Sequence, residues 1–478
     1  MRRTKIVATL GPATSTPERL ADLINAGMNV ARFNFSHGNH AQHAARMVTL
    51  RAVAAELGRP VAVMQDLQGP KIRTGALVGG KPVSLVAGQM FTITTENILG
   101  DSKRVSTTYE ALPKDVKPGN RILLSDGTIE LRVISTTDTE VICQALNSAT
   151  LREHQGINLP GVTISAPTVT QKDMDDLRFG LEQNVDYIAL SFVRRAEDIK
   201  QVKEVIAEAG RDTPVIAKIE RPEALDVLDE ILAVADGVMV ARGDLGVEIP
   251  LRQVPIIQKE IIAAANAHTV PVITATQMLE SMIDEPHPTR AEVTDVANAI
   301  IDGSDAVMLS GETSIGKYPV ETVRMMAQIA ETTENSAYCR TSGDAEDVYR
   351  LLHRVQTAPQ AIGAAVSAIV QTLPVSAIWV FTQSGSTARQ VAHYRPGVPI
   401  LAFTPFEHVY RRLSLIWGVT PIKSQYIETD RDFWERIPAT ALEQGYARPG
   451  ETVIITGGHP LNEHGPTNFL KIYEIGAA

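Results

Sequence analysis

Charged side chains follow two short apolar segments of the chain, at the point where each segment ends. Lys218 and Glu220 follow the apolar VIA, and Asp244 follows GVMVA. Carboxylates are hard oxygen ligands suited to Mg²⁺, which also takes substrate oxygens and waters. A lysine beside them supplies positive charge for an anionic substrate. This combination indicates phosphoryl transfer, in which catalysis is mainly positioning and charge neutralisation.

Polar residues of the same kinds recur at the ends of other apolar segments. Arg32, Asn34 and Ser36 are spaced by two, so they share one face of a strand. The further candidates are Asp66, Lys71, Arg73, Arg242, Gly243, Gly246, Thr274, Thr276, Ser310 and Glu312. Taken singly, each has an ordinary explanation: a Lys-x-Glu pair can be a solvated salt bridge, Arg-Gly-Asp a turn, and a threonine a helix cap. The functional interpretation therefore depends on their convergence.

Eight β-branched segments could bring these residues together. They span residues 5–11, 29–37, 61–67, 186–193, 214–220, 237–244, 271–278 and 305–312. Amphipathic helical patterns lie between most of them, an alternation typical of parallel βα units. Eight units favour a closed (β/α)8 TIM barrel, in which the C-terminal strand ends meet around one cavity. The sequence therefore predicts an α/β fold with a charged site for an anion.

Two further domains are predicted. Residues 70–167 contain alternating strands and turn signals, which indicate a small β-barrel domain inserted over the barrel mouth as a lid. A new α/β pattern follows the polar segment 341–348. We therefore divide the chain into a barrel of residues 1–69 and 168–342, an inserted domain of residues 70–167 and a C-terminal α/β domain of residues 343–478.

Composition excludes several classes of function. The formal net charge of −10 leaves no overall basic field for nucleic acid or an anionic membrane. No apolar run approaches the roughly 20 residues of a membrane span, and the start of the chain lacks a signal-peptide pattern. We therefore expect a cytoplasmic protein. Cys143 and Cys339 are too few and too distant for a disulfide framework or a cysteine metal site, so we expect reduced thiols.

A second candidate site lies in the C-terminal region. The stretch FTQSGSTARQ places a hydroxyl-rich loop between a strand and a helix, with candidate residues Thr382, Ser384, Gly385, Ser386 and Thr387. Backbone N–H groups at a helix start can bind phosphate. Such loops also serve as plain helix caps, so both interpretations stay open.

Several of these segments resemble pyruvate kinases. They are NVARFNFSHG, DLQGPKIRTG, VMVARGDLGVEIP, TATQMLESM and PTRAEVTDVANA, and the similarity runs from about Arg3 to the C-terminus. The resemblance implies a catalytic barrel, a β-rich lid, a C-terminal regulatory domain and a homotetramer. It also implies transfer of a phosphoryl group from phosphoenolpyruvate to ADP with Mg²⁺ or Mn²⁺, giving pyruvate and ATP.

The resemblance further implies roles for individual residues. Arg32 would contact the substrate phosphate, and Lys218 would stabilise the transferring phosphoryl group. Glu220 and Asp244 would bind the divalent metal. Gly243, Asp244 and Thr276 would bind the substrate carboxylate, and Asn34, His37 and Arg73 would face the nucleotide phosphates. Thr276, Ser310 and Glu312 would surround the path that protonates the enolate. Residues 382–387 would bind a phosphorylated effector, for which we favour a sugar monophosphate or AMP.

The family's monovalent-cation site marks a difference in this chain. It is matched by Asn34, Ser36, Asp66 and Leu67. Potassium-dependent members resemble Asp-Thr-Lys-Gly-Pro-Glu, whereas this chain reads DLQGPK and ends the motif with Lys71. A lysine there would supply the charge that K⁺ supplies elsewhere, so we predict activity without added K⁺. An exposed hinge residue is the alternative interpretation of Lys71.

Two other functions remain open at this stage. A lyase or aldolase on the same barrel would use Lys218 to form a Schiff base. An inactive paralogue would bind a metabolite and regulate a partner, although every charged group that the phosphoryl-transfer mechanism requires is in place.

Overall fold

The chain begins with three parallel strands separated by helices. In a computed structural model, which describes residues 2–339, 357–426, 439, 441–460 and 465–476, these strands are β1 (Lys5–Thr9), β2 (Val30–Asn34) and β3 (Ala62–Asp66). The helices between them are α1 (Pro17–Ala26) and α2 (His40–Glu56). Thr16 and Asn39 cap the two helices by accepting hydrogen bonds from backbone N–H groups of the first turn.

An all-β domain interrupts the barrel after β3. Its elements are β4 (Val83–Leu85), β5 (Met90–Thr94), β6 (Arg104–Ser106), α3 (Leu112–Asp115), β7 (Arg121–Leu124), β8 (Ile129–Thr136), β9 (Glu140–Ala145), β10 (Ala149–Leu151) and β11 (Ile157–Asn158). Six of these strands form one sheet in the order β11-β7-β8-β9-β5-β6, and β10 pairs with β4. Backbone bridges from Arg73 to Gly156 and from Thr74 to Thr107 join residues next to the two edge strands. The domain has its own apolar core, which includes Phe91.

The second part of the barrel follows the inserted domain. Its strands are β12 (Tyr187–Leu190), β13 (Val215–Ile219), β14 (Gly237–Ala241), β15 (Val272–Ala275) and β16 (Ala306–Leu309). Its helices are α4 (Gln171–Glu182), α5 (Ala196–Glu208), α6 (Pro222–Asp226), α7 (Leu228–Leu232), α8 (Arg242–Glu248), α9 (Val254–Ala267), α10 (Arg290–Ile301), α11 (Gly311–Ser314) and α12 (Pro319–Glu334).

The eight parallel strands close into a barrel, which confirms the predicted (β/α)8 fold. Strand β1 pairs with β16 on one side and with β2 on the other, while β3 pairs with β12 across the insertion. Each predicted segment is longer than the strand it contains. Residues 237–244, for example, form a strand only to Ala241, because α8 begins at Arg242. Arg242 ion-pairs with Asp295 and donates to the carbonyl of Thr276, which fixes this change of direction.

The C-terminal α/β domain contains one five-stranded sheet. Its elements are α13 (Ala358–Thr372), β17 (Val375–Phe381), α14 (Ser386–His393), β18 (Ile400–Thr404), α15 (Glu407–Arg412), β19 (Val419–Lys423), β20 (Thr452–Gly457) and β21 (Phe469–Glu474). The strand order is β19-β18-β17-β20-β21, and β21 runs antiparallel to its neighbour. The predicted boundary at residues 342 and 343 lies outside the described residues.

This domain packs against the N-terminal ends of the barrel strands. Lys5, the first residue of β1, donates to the carbonyl of Val419 at 2.7 Å. Arg411 pairs at 2.9 Å with Asp186, which directly precedes β12. The C-terminal domain therefore lies opposite the barrel end at which Lys218 and Glu220 are found.

The structure also shows the state of the two cysteines and whether any described helix could span a membrane. Cys143 and Cys339 are both buried free thiols. Within the described ranges, the helices are all too short or too polar to cross a membrane.

Candidate active site

Lys218 is the centre of a buried network at the C-terminal ends of the barrel strands. Its ammonium lies 3.0 Å from Asp66 Oδ1 and 2.8 Å from Glu220 Oε1, and it donates to Ser191 Oγ at 2.6 Å. Burial lowers the pKa of Lys218, but the carboxylates of Asp66 and Glu220 outweigh it, so the pKa lies above its usual value. The side chain is thus a fixed cation.

Asp66 connects this lysine to Arg32. Arg32 Nε lies 2.6 Å from Asp66 Oδ2, and its Nη1 donates to Thr9 Oγ1 at 2.9 Å. Burial raises the pKa of Asp66, whereas the charges of Arg32 and Lys218 lower it, and the net direction is downward. Two cations held by one buried carboxylate can stabilise an anion without rearrangement.

Glu220 and Asp244 are suited to a divalent metal. Burial raises the pKa of Glu220; the Lys218 ammonium opposes this shift, and the charge of nearby Asp244 adds to it. A cation between the two carboxylates would relieve that repulsion. Among the described residues, no three His, Cys, Asp or Glu side chains group as metal ligands. Two carboxylates from the protein would leave the other positions to substrate and water, as Mg²⁺ prefers.

Thr276 is held in an unusual backbone conformation. Its φ is 67°, a left-handed value that is rare for a β-branched residue. The hydroxyl accepts from the N–H of Gly243 at 2.8 Å and donates to the carbonyl of Ala275 at 2.6 Å. Thr274 is fully buried and bonds to Ser304 at 2.7 Å. Of the two threonines, Thr276 is the one that contacts the 243–244 segment.

Ser310 and Glu312 follow β16. Glu312 Oε2 accepts from the N–H of Ser310 at 2.7 Å, and Oε1 accepts from the N–H of Leu279 at 3.3 Å. Burial raises the pKa of Glu312, and these backbone donors oppose the shift. Ser310 Oγ is buried without a hydrogen-bond partner among the described residues, so it is available to a substrate or a water.

A cleft of about 240 Å³ lies between the barrel and the inserted domain. The site residues that line it are Lys71, Arg73 and Asp244. His37 is nearby: burial lowers its pKa, and Lys71, Arg73 and Arg32 lower it further. Lys71, Arg73 and Arg32 therefore place positive charge around His37, which suits the binding of phosphates. Lys71 is exposed here, whereas Asp66 is engaged by Arg32 and Lys218.

Three of the four candidate monovalent ligands already have partners. Asp66 is held by Arg32 and Lys218. Asn34 Oδ1 accepts from the N–H of Ser36 at 3.1 Å. The carbonyl of Leu67 accepts from Ser191 Oγ at 2.6 Å.

Sequence reasoning missed several residues of this site. Ser191 bridges Lys218 and Leu67, and its only signal was a hydroxyl at the end of the fourth predicted strand. The cleft is also lined by Ser125, Asp126, Asn158, Arg194, Arg221 and Glu248. Ser125, Asp126 and Asn158 belong to the inserted domain. The sequence pattern predicted this domain over the barrel mouth but could not show which of its side chains face the cleft.

The 382–387 loop lies in the C-terminal domain, away from this network. The N–H of Gly385 donates to Thr382 Oγ1 at 2.8 Å, and Thr387 bonds to Thr467 at 2.7 Å. The loop borders a cavity of about 60 Å³ whose lining residues, as far as the chain is described, include no Lys or Arg.

Comparison with known proteins decides the family. The barrel-domain model of pyruvate kinase matches residues 1–323, and the model of the pyruvate kinase alpha/beta domain matches residues 360–473. The chain belongs to the pyruvate kinase family. It is therefore a phosphotransferase with the pyruvate kinase fold, which is built on a TIM barrel.

Individual pyruvate kinases are similar along the whole chain. Pyruvate kinase 2 of Synechocystis is 46% identical over all of this chain, which covers 80% of that relative. The pyruvate kinase of Staphylococcus aureus strain MRSA252 is also 46% identical, with 81% of it covered. A pyruvate kinase crystal structure from Cryptosporidium parvum superposes with a TM-score of 0.92 at 38% identity, covering 99% of this chain and 96% of that one.

Proposed function

We propose that this pyruvate kinase family member transfers the phosphoryl group of phosphoenolpyruvate to ADP at the Lys218 network, giving pyruvate and ATP in the last step of glycolysis. The observation that carries the proposal is the buried set of Arg32, Asp66, Lys218 and Glu220, which supplies fixed positive charge beside the carboxylate of Glu220.

Charge neutralisation is the main contribution of the side chains. Arg32 would bind the phosphate of the substrate, and Lys218 would stabilise the transferring group, because both are already held by Asp66. Gly243 and Thr276 would hold the substrate carboxylate beside Asp244. Asn34, His37 and Arg73 would face the phosphates of the nucleotide, and Ser310 Oγ would belong to the path that protonates the enolate.

Glu220 and Asp244 would hold Mg²⁺ or Mn²⁺. When bound, this ion would neutralise charge on the substrate oxygens. The carboxylate of Glu220 is held in a fixed orientation, because its Oε2 accepts a hydrogen bond from the N–H of Phe192 at 2.8 Å.

The Schiff-base alternative is disfavoured by the state of Lys218. An amine must be neutral to attack a carbonyl, and enzymes that use it lower its pKa. Here the pKa of Lys218 is raised by two carboxylates. Borohydride with a keto substrate should therefore fail to trap this lysine.

A coupled assay tests the proposed function directly. Pyruvate formation should require phosphoenolpyruvate, ADP and Mg²⁺ together. An enzyme that binds phosphoenolpyruvate but makes no pyruvate would instead support the inactive paralogue.

The assay also tests the proposed independence from K⁺. We expect full activity in Na⁺ or tetramethylammonium buffer, because Asp66 is engaged by two cations and Lys71 adds charge to the cleft. Lys71→Glu should become K⁺-activated, while Lys81→Glu, at an exposed lysine of the inserted domain, should not. A saturable activation of wild type by K⁺ of about tenfold or more, with Na⁺ inert, would contradict the proposal.

A regulatory site is proposed at the 382–387 loop. The lining without Lys or Arg among the described residues favours one phosphate, as in a sugar monophosphate or AMP, over a bisphosphate. Glucose 6-phosphate or AMP should raise the melting temperature of wild type but not of Ser384→Glu, because the new carboxylate repels phosphate. Ser102→Glu, an exposed change in the inserted domain, should respond like wild type. Equal shifts in all three proteins would place the effector elsewhere.

The remaining assignments follow the family. We propose a homotetramer in the cytoplasm, with the three domains divided at residues 69/70, 167/168 and 342/343.

A further inference from the structure

An ion pair between Arg221 and Glu248 is buried beside the inserted domain. Arg221 Nη1 lies 2.8 Å from Glu248 Oε1, and the side chains are 3% and 2% exposed. Arg221 directly follows Glu220 after β13, and Glu248 ends α8 about one helical turn after Asp244. The pair therefore joins the two elements that carry the proposed metal-binding carboxylates.

Both partners also contact the segment through which the chain leaves the inserted domain. Arg221 Nη2 donates to the carbonyl of Val162 at 3.1 Å, and Asn158 Nδ2 donates to Glu248 Oε1 at 3.3 Å. Asn158 lies in β11, and Val162 follows it closely. One buried ion pair thus connects β13, α8 and the inserted domain.

Glu248 also has an acceptor that is not used. Its Oε2 is buried and lacks a hydrogen-bond partner among the described residues, although Glu248 lines the cleft together with Asp244 and Asn158. A buried carboxylate oxygen without a donor is costly. A further donor, from the inserted domain or from water in the cleft, would stabilise this arrangement.

Arginine is specifically suited to this position. Its planar guanidinium presents donors on two edges, so it reaches Glu248 and the carbonyl of Val162 at the same time. A lysine would keep the positive charge, but its compact ammonium group lacks the planar, two-edged set of donors that reaches both partners. Removing one member of a buried pair would leave the other uncompensated, so conservative changes are the informative ones.

We propose that Arg221 and Glu248 form a clasp that couples movement of the inserted domain to the placement of Glu220 and Asp244. The inference rests on the metal-binding role proposed above for those two carboxylates. When the segment containing Asn158 and Val162 moves, its hydrogen bonds to Glu248 and Arg221 displace the ion pair. The displaced pair then shifts the C-terminal ends of β13 and α8. Arg221 and Glu248 are positioning residues in this account.

Mn²⁺ binding, measured by electron paramagnetic resonance, tests the clasp without turnover. In the presence of phosphoenolpyruvate, Arg221→Lys and Glu248→Gln should each weaken Mn²⁺ binding about tenfold, a size typical of residues that orient metal ligands. Both should speed amide exchange in residues 158–168. Glu223→Gln is the matched control: Glu223 pairs with the same guanidinium at 3.1 Å, but its side chain is 34% exposed, and the change should alter neither measurement.

The outcomes separate the clasp from its alternatives. If Glu248 acts only through its charge, Glu248→Gln will weaken Mn²⁺ binding while Arg221→Lys will not, and the clasp is wrong. Wild-type affinity and exchange in both variants would overturn it as well. If either variant fails to fold, Asn158→Ala, which removes only the hydrogen bond from Asn158 to Glu248, decides by the same two measurements. Pyruvate formation by wild type supports the proposed function independently of these results.

Discussion

Replacing Lys218 with methionine should lower kcat by about 10³-fold or more, since a preorganised cation at the transferring group is lost. Methionine keeps much of the length of the side chain but none of its charge. The effect on KM for phosphoenolpyruvate should be much smaller, because Arg32 stays fixed by Asp66 and Thr9. Steady-state kinetics of pyruvate formation would show this separation.

Folding of the Lys218→Met enzyme needs a separate check, because Asp66 and Glu220 each lose a charge partner. Arg32 still neutralises Asp66, and Mg²⁺ would neutralise Glu220, so we expect a lower melting temperature that added Mg²⁺ partly restores. Lys317→Met, at an exposed lysine paired with Asp284, is the control and should keep normal kinetics. A kcat near wild type in Lys218→Met would refute the role proposed for this lysine.

Replacing Glu220 with glutamine should raise the Mg²⁺ concentration needed for half-maximal activity about 10²-fold or more, because losing a ligand should cost at least as much as losing an outer-sphere partner. Glutamine preserves the size of the side chain and can still accept from the N–H of Phe192. Mn²⁺ titration by electron paramagnetic resonance would measure the loss without catalysis.

The control for this change is Glu230→Gln, at an exposed position on α7. It removes the same charge from the protein and should leave Mn²⁺ affinity unchanged. Unaltered Mn²⁺ affinity in Glu220→Gln would show that the metal is held elsewhere.

The barrel could be predicted because local patterns determine it. Each of the eight segments expected as strands contains one, since β-branched runs bounded by helical patterns leave few alternatives. The ends of the segments were less accurate. At Arg242 the polypeptide turns into α8, because its guanidinium bonds to Asp295 and the carbonyl of Thr276, partners that are distant in sequence.

The site was predictable in its residue types but not in its pairing. Strand-end position alone placed Arg32, Lys218 and Glu220 in one region. In the structure Asp66 joins Arg32 to Lys218, and Lys218 contacts Glu220 directly. The upward pKa shift of Lys218 could not be derived from spacing, because burial and two carboxylates oppose one another there. The clasp was missed for a similar reason, since Arg221 and Glu248 become partners only after the barrel closes.

The place of the insertion also orders events during synthesis. Strand β3 ends at Asp66, but its barrel neighbour β12 begins only at Tyr187. At typical translation speeds the ribosome needs roughly ten seconds to make the chain between them. Until β12 is made, the backbone groups of β3 that pair with it have no partner, and unpaired strand edges favour aggregation. The inserted domain has its own core and is complete before the barrel that it covers can close.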